Sequence, residues 1–180
     1  MAQSMPRPLD RAEYDRLVEA GVFREQRVEL LYGTVLPMSP HGPAHDGVLQ
    51  KLQKLLFRAL DPRAELRIQS AFAASDGSEP EPDLAVVRPG DYTRAHPSSA
   101  FLIVEVADSS LSHDRNVKSK LYAECRIEEY WIVSLAETQI EVYTQPELGR
   151  FKEIRPFLRG ERITLAAFGD VVVAVDDVLP

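Results

Sequence analysis

Hydrophobic side chains recur every three or four positions over residues 46–60, and this spacing predicts an amphipathic helix that ends at Asp61-Pro62. The apolar stripe of this helix consists of Val48, Leu52, Leu55, Leu56 and Ala59. The preceding segment "PHGPAHDG" is predicted to be a loop. A shorter helix is predicted to begin after Asp10, a typical N-cap residue, and to end at Gly21.

A third helix is predicted over residues 112–126, again from helical spacing of apolar side chains. Its buried stripe consists of Val117, Leu121 and Cys125. Lys118 is therefore expected about 100° around the helix from that stripe. Lys120 is expected on the other side of it, so the two lysines cannot both reach one site.

The remaining apolar runs are short and predict strands. The segments "DLAVV" and "AFLIVEVA" are almost continuously hydrophobic, which is typical of strands buried on both faces. Further strands are predicted in "AELRIQSAFAAS", in two hairpins, "RVELLYGTVLPM" and "EYWIVSL" with "TQIEVYT", and in the C-terminal runs "FKEIR", "RITL" and "VVVAV". Repeats and linkers are absent, so residues 1–180 are predicted to form one α/β or α+β domain around a mixed sheet.

Composition limits the classes of function. The net charge is −7, which gives no overall attraction to nucleic acid. The single cysteine cannot form an internal disulfide, and no apolar run approaches the length of a membrane span. The N-terminal segment lacks the apolar core of a signal peptide. We therefore expect a cytoplasmic protein without membrane contact.

Candidate chemistry is concentrated on two strands and the helix that follows them. Strand alternation places Glu105 on the same face as Ile103 and Ala107, where a carboxylate is costly unless it is paired, protonated or metal-bound. Asp83 begins the preceding strand, so the two acids can converge if these strands are neighbours. Two carboxylates form a hard oxygen site suited to Mg²⁺, and Lys118 could hold water or stabilise phosphate charge.

Each of these residues also has a structural interpretation. Glu105 could pair with an arginine or lysine, and Asp83 could cap a turn. Asp114 and Lys118 have the spacing of a favourable i,i+4 pair on a helix. The order of the three residues along strand, strand and helix favours a site over three unrelated roles.

Four segments in order, "PDLAVV", "LIVEVADSS", "DRNVKSKLY" and "EEYWIV", resemble the Uma-two family within the PD-(D/E)XK nuclease superfamily. The similarity extends upstream through "ELLYGTVLPMSP" and "AHDGVLQKL". The resemblance implies a restriction-endonuclease-like fold, a central mixed β-sheet flanked by helices. It also implies a metal-dependent endonuclease, with Mg²⁺ or Mn²⁺ as cofactor and nucleic acid (DNA before RNA) as substrate. Separately, edge strands and the "YWIV" hairpin lead us to expect a homodimer.

When the family's motif residues are matched by position, the resemblance implies that Asp83 and Glu105 are the metal ligands and that Lys118 is the third catalytic residue. The superfamily's usual lysine, two places after the glutamate, is replaced by Ala107. Glu29, His45 and Asp114 also match family positions, without an assigned role. The sequence departs from the family pattern at three nearby places. "EVADSS" lacks the usual Ser-Pro, Arg126 replaces a glycine and Ser134 replaces an acid. These differences affect the expected loop shape and helix ends rather than the three site residues.

Other polar and aromatic side chains are interpreted as structural. The stripe of Lys51, Lys54 and Arg58 is expected to be a solvated face rather than a phosphate track, and Tyr130 and Trp131 are expected to pack in the core. The four histidines show no metal-ligand spacing, and His45 is expected to be a cap or surface residue. The alternative to a nuclease is a nuclease-fold protein that binds a partner or dimerises without cutting, and the acidic net charge favours that alternative.

Overall fold

A computed structural model describes residues 7–180 and has a mixed six-stranded sheet at its centre. In spatial order the strands are β3 (Glu65–Ile68), β4 (Leu84–Val87), β5 (Leu102–Ala107), β6 (Glu129–Ser134), β7 (Gln139–Glu147) and β8 (Arg150–Phe157). Neighbouring strands are antiparallel except β5 and β6, which are parallel. The predicted fold class is confirmed. Residues 1–6, part of the N-terminal segment considered above, lie outside the described residues.

Two short hairpins lie outside this sheet. They are β1 (Val28–Leu31) with β2 (Thr34–Pro37), and β9 (Arg162–Leu165) with β10 (Phe168–Ala174). The first hairpin turns at Tyr32 and Gly33, as predicted, with φ values of 50° and 76°. Two successive positive φ angles match the right-handed twist of paired strands, and the glycine adopts its angle without strain.

The helices are α1 (Arg11–Glu19), α2 (Pro43–Leu60), α3 (Leu111–His113), a π-helical turn (Asp114–Lys118), α4 (Ser119–Glu124) and α5 (Val175–Val178). The prediction that α2 begins at Asp46 was wrong by three residues. Proline suits the first helical turn because its missing N–H would have no partner there, and the loop "PHGPAHDG" therefore ends at Gly42. No helix in residues 7–180 is long and apolar enough to span a bilayer.

The sheet is covered on both faces, which explains why β4 and β5 are apolar throughout. Helix α2 covers one face with its predicted stripe, and Leu102, Val104 and Val106 of β5 point toward it. Ile103 and Ala107 point to the opposite face, toward α4. This alternation was predicted, and it leaves Glu105 facing the α4 side.

Candidate active site

The pairing of β4 with β5 brings two acids together at the end of the sheet. Leu84 lies opposite Val104, so Asp83 is adjacent to Glu105. The backbone N–H of Asp83 donates to Oε2 of Glu105 at 3.4 Å, and that of Val106 donates to Oδ2 of Asp83 at 2.8 Å. Asp83 and Glu105 are only 7% and 4% exposed, so the predicted convergence occurs in a nearly dry environment.

Lys118 reaches the same point from the helical segment. Its Nζ atom lies 3.0 Å from Oε1 of Glu105 and 3.3 Å from Oε2 of Glu29 on β1. Oε1 of Glu105 also accepts from the hydroxyl of Tyr122 at 2.8 Å. Lys120 is exposed and pairs with Glu124, as expected for a lysine on the other side of the helix.

The prediction that Val117 lies on the buried stripe, with Lys118 about 100° around the helix from it, was wrong. Asp114 and Lys118 are both buried, whereas Val117 is only partly so. A π-helical turn contains one residue more per turn than an α-helix, which changes the direction of the side chains that precede and follow it. The alternative i,i+4 pair is not formed within salt-bridge distance among the described residues. Asp114 accepts a hydrogen bond from Oγ of Ser110 at 2.6 Å instead.

His45 was expected to be a cap or surface residue, and this was wrong. Its ring is buried, and Nε2 lies 3.0 Å from Oδ2 of Asp83. Because α2 begins at Pro43, residue 45 occupies the first helical turn and faces the strand ends. The ring of His41 stacks on it at a centroid distance of 3.9 Å.

Two of the histidines lie close to Asp83 in the fold, although their spacing along the sequence predicted no metal site. Potential ligand atoms of His41, His45 and Asp83 all lie within 4.8 Å of one another. The two histidines are four positions apart, but His41 precedes the helix, so the rule that four-apart residues share a helical face does not apply to it. The spacing was therefore not a signal for this cluster.

Buried charges perturb one another in this cluster. Burial raises the pKa of Glu105 to about 8, with Lys118 opposing the shift. Burial would also raise the pKa of Asp83, but His45 and the Val106 amide outweigh it and lower that pKa. Burial opposes the charge on Lys118, yet Glu105, Glu29 and Asp114 raise its pKa overall, so it is protonated at neutral pH.

The cluster lines a cavity of about 370 Å³ that is suited to a cation. Four of its acids, Glu29, Asp83, Glu105 and Asp114, are buried around the single lysine. An uncompensated buried carboxylate is costly, and a bound divalent cation would relieve that cost. Carboxylate oxygens with a nearby imidazole nitrogen form a donor set that such a cation accepts, so the residues present fit the metal implied by the resemblance.

The remaining candidates lie in the core or on the exposed face of α2. Tyr130 and Trp131 are fully buried, as predicted. Lys51 lies on the exposed face of α2, where its Nζ donates to the carbonyl of Leu179 at 2.9 Å. Burial raises the pKa of the Cys125 thiol to about 11, so the thiol is protonated at neutral pH.

A mixed sheet with two acids at the ends of adjacent strands and a lysine on the next helix defines a restriction-endonuclease-like nuclease fold. The chain belongs to the Uma2 family, described as "Putative restriction endonuclease", whose profile matches residues 11–176. This confirms the resemblance. The fold is similar to that of a crystallised "putative nuclease belonging to DUF820" from Anabaena variabilis, with a TM-score of 0.77, 15% sequence identity, and coverage of 95% of this chain and 97% of that one. No curated protein matches the chain.

Proposed function

We propose that the protein is a divalent-metal-dependent endonuclease that hydrolyses phosphodiester bonds, with DNA as the substrate. The observation that carries this proposal is the convergence of the buried side chains of Asp83, Glu105 and Lys118 at one open cavity. Membership of a family described as restriction endonucleases supports the reaction class. The surplus of buried acids supports the need for a cation.

In this proposal Asp83 and Glu105 bind Mg²⁺ or Mn²⁺. The bound ion supplies Lewis-acid polarisation of the phosphodiester and lowers the pKa of a water molecule. It also offsets the negative charge of the cavity, which would otherwise repel phosphate. The protein is further proposed to act in the cytoplasm as a homodimer of single-domain chains.

Lys118 is assigned the role of a hydrogen-bond donor. A lysine with a raised pKa retains its proton, so it cannot abstract one from water. It can instead orient the attacking water and stabilise negative charge that develops on the phosphate. The contact with Glu29 holds its Nζ in place independently of Glu105, so Glu105 can bind an ion without releasing the lysine.

The test is cleavage of supercoiled plasmid DNA with Mg²⁺, Mn²⁺ or EDTA. We expect nicking by the parent with either ion, and none with EDTA or after Asp83→Asn. Lys120→Ala is the matched control for Lys118→Arg, which keeps the charge but changes its geometry, and only the latter should lose cleavage. If plasmid, single-stranded DNA and RNA all remain intact although the metal binds, the non-catalytic alternative replaces this proposal.

A further inference from the structure

The distance between the side chains of His45 and Asp83 matches the distance between two neighbouring ligands of one small cation. Nε2 of His45 lies 3.0 Å from Oδ2 of Asp83, and both side chains are at most one-tenth exposed. Two ligands at about 2.1 Å from an ion and at right angles to each other are separated by about 3 Å. The pair therefore requires little rearrangement to share an ion.

The outer contacts of His45 prepare its Nε2 for this role. Nδ1 of the ring lies 3.3 Å from Oδ1 of Asp46, which is the geometry of a ring N–H that donates to a carboxylate. With Nδ1 held in this way, a cation can replace the Nε2 proton that lies between the ring and Asp83 in the ion-free protein. A carboxylate behind a histidine is the usual way in which proteins orient an imidazole ligand.

His41 has a different role, although it belongs to the same cluster. Its ring and that of His45 are stacked, with an interplanar angle of 17°. The lone pair of an imidazole lies in the ring plane, and two nearly parallel planes cannot both contain one nearby ion. His41 is therefore a positioning residue that supports the ring of His45, and Gln69 contacts its Nδ1 at 2.9 Å.

We propose that His45 is a nitrogen ligand of the cation held by Asp83, and that the site consequently prefers Mn²⁺ and other first-row transition ions over Mg²⁺. This inference rests on the metal site of the proposed function and specifies its ion. Mg²⁺ prefers an all-oxygen octahedron, whereas imidazole is an ordinary ligand of transition ions. The mixed donor set therefore discriminates between the two kinds of ion.

The test combines calorimetry with pulsed EPR of the full chain loaded with Mn²⁺ alone or Mg²⁺ alone. We expect Mn²⁺ to bind about tenfold or more tightly than Mg²⁺, and His45→Gln to lose most of that preference. The matched control His96→Gln should retain it. Coupling of the Mn²⁺ electron spin to ¹⁴N should be present in the parent and absent in His45→Gln.

Absence of ¹⁴N coupling in the parent overturns the inference, and this readout does not depend on whether a variant folds. Equal affinities of the parent for both ions also overturn it, but leave the metal-dependent nuclease intact. If neither ion binds, the metal site of the proposed function fails together with the inference. Calorimetry of the parent thus distinguishes the two failures.

Discussion

The Nζ atom of Lys118 lies 3.0 Å from Oε1 of Glu105, and both side chains are almost closed to solvent. The lysine reaches this position from a helical segment and the glutamate from a central strand. Glu29 contacts the same Nζ from a hairpin outside the sheet. Lys118 therefore neutralises acids from two other parts of the fold, and its removal would leave them buried without a cation.

Lys118→Met is expected to lower the free energy of unfolding of the metal-free protein by about 3 kcal/mol, because breaking a buried pair leaves uncompensated charge. Urea denaturation in EDTA at about pH 9, above the pKa of Glu105, measures the loss. Lys120→Met is the control, and it should change stability by less than about 0.5 kcal/mol because this lysine is exposed. A loss of only a few tenths in Lys118→Met would mean that the acids are neutral in the folded protein.

Stability of the metal-free protein is expected to fall as the pH rises from about 5 to 8. Over this window folded Glu105, whose pKa is about 8, retains a proton that the unfolded chain has released. The free energy of unfolding then declines by on the order of 1 kcal/mol per pH unit. Denaturation at several pH values in EDTA measures this slope.

Glu105→Gln removes the group with the highest raised carboxyl pKa and should reduce that slope, so that the variant is more stable than the parent at pH 8; Glu79, whose pKa burial raises to about 7, accounts for part of the slope that remains. The exposed Glu153→Gln serves as the control and should keep the slope of the parent. Equal slopes in Glu105→Gln and the parent would assign the pH dependence to another group. A less stable variant at pH 8 would show that the pair with Lys118 outweighs the cost of burial.

Asp83→Asn is expected to reduce Mn²⁺ affinity by about tenfold or more, because an amide replaces a charged ligand. The fold should survive, with a loss of about 1–3 kcal/mol, since His45 and the Val106 amide lose a charged acceptor. Calorimetry and circular dichroism measure the two effects. Asp108→Asn, at the exposed rim of the same cavity, should leave affinity nearly unchanged. Unchanged affinity in Asp83→Asn would remove this residue from the metal site.

Tyr122→Phe is expected to destabilise the protein by about 1–2 kcal/mol more than Tyr130→Phe. Both rings are fully buried and contact each other, at a centroid distance of 5.0 Å. The Tyr122 hydroxyl donates to Glu105 at 2.8 Å, whereas the Tyr130 hydroxyl makes only a 3.4 Å contact with a backbone carbonyl. Thermal melts of the two variants provide the comparison. Equal losses of stability would mean that the hydrogen bond from Tyr122 to Glu105 contributes no more than the contact of the Tyr130 hydroxyl.

The sequence was sufficient to predict where the acids meet. A period of two placed Glu105 on a definite face, and the apolar runs around it identified central strands, so proximity to Asp83 required only that the strands pair. The direction of Lys118 was not predictable in the same way. "DRNVK" has no local pattern that marks a π-helical turn, and the acids that Lys118 contacts lie on other elements of the fold.

His45 was missed for a related reason. An imidazole at the start of a helix is compatible with solvent or with burial, and only the packing of α2 against the strand ends decides between them. Its partner Asp83 is 38 residues away in the chain. Periodicity describes local order, and it carries no information about a contact over that separation.

The π-helical turn restricts how this chain can change in length during evolution. Removing one residue between Ser112 and Lys118 would restore ordinary helical spacing and rotate either Asp114 or Lys118 out of the cavity. Substitution at Ser112 or Asn116, whose side chains are exposed, would leave the spacing unchanged. Deletions within this segment should therefore be selected against, whereas its outer surface is free to diverge.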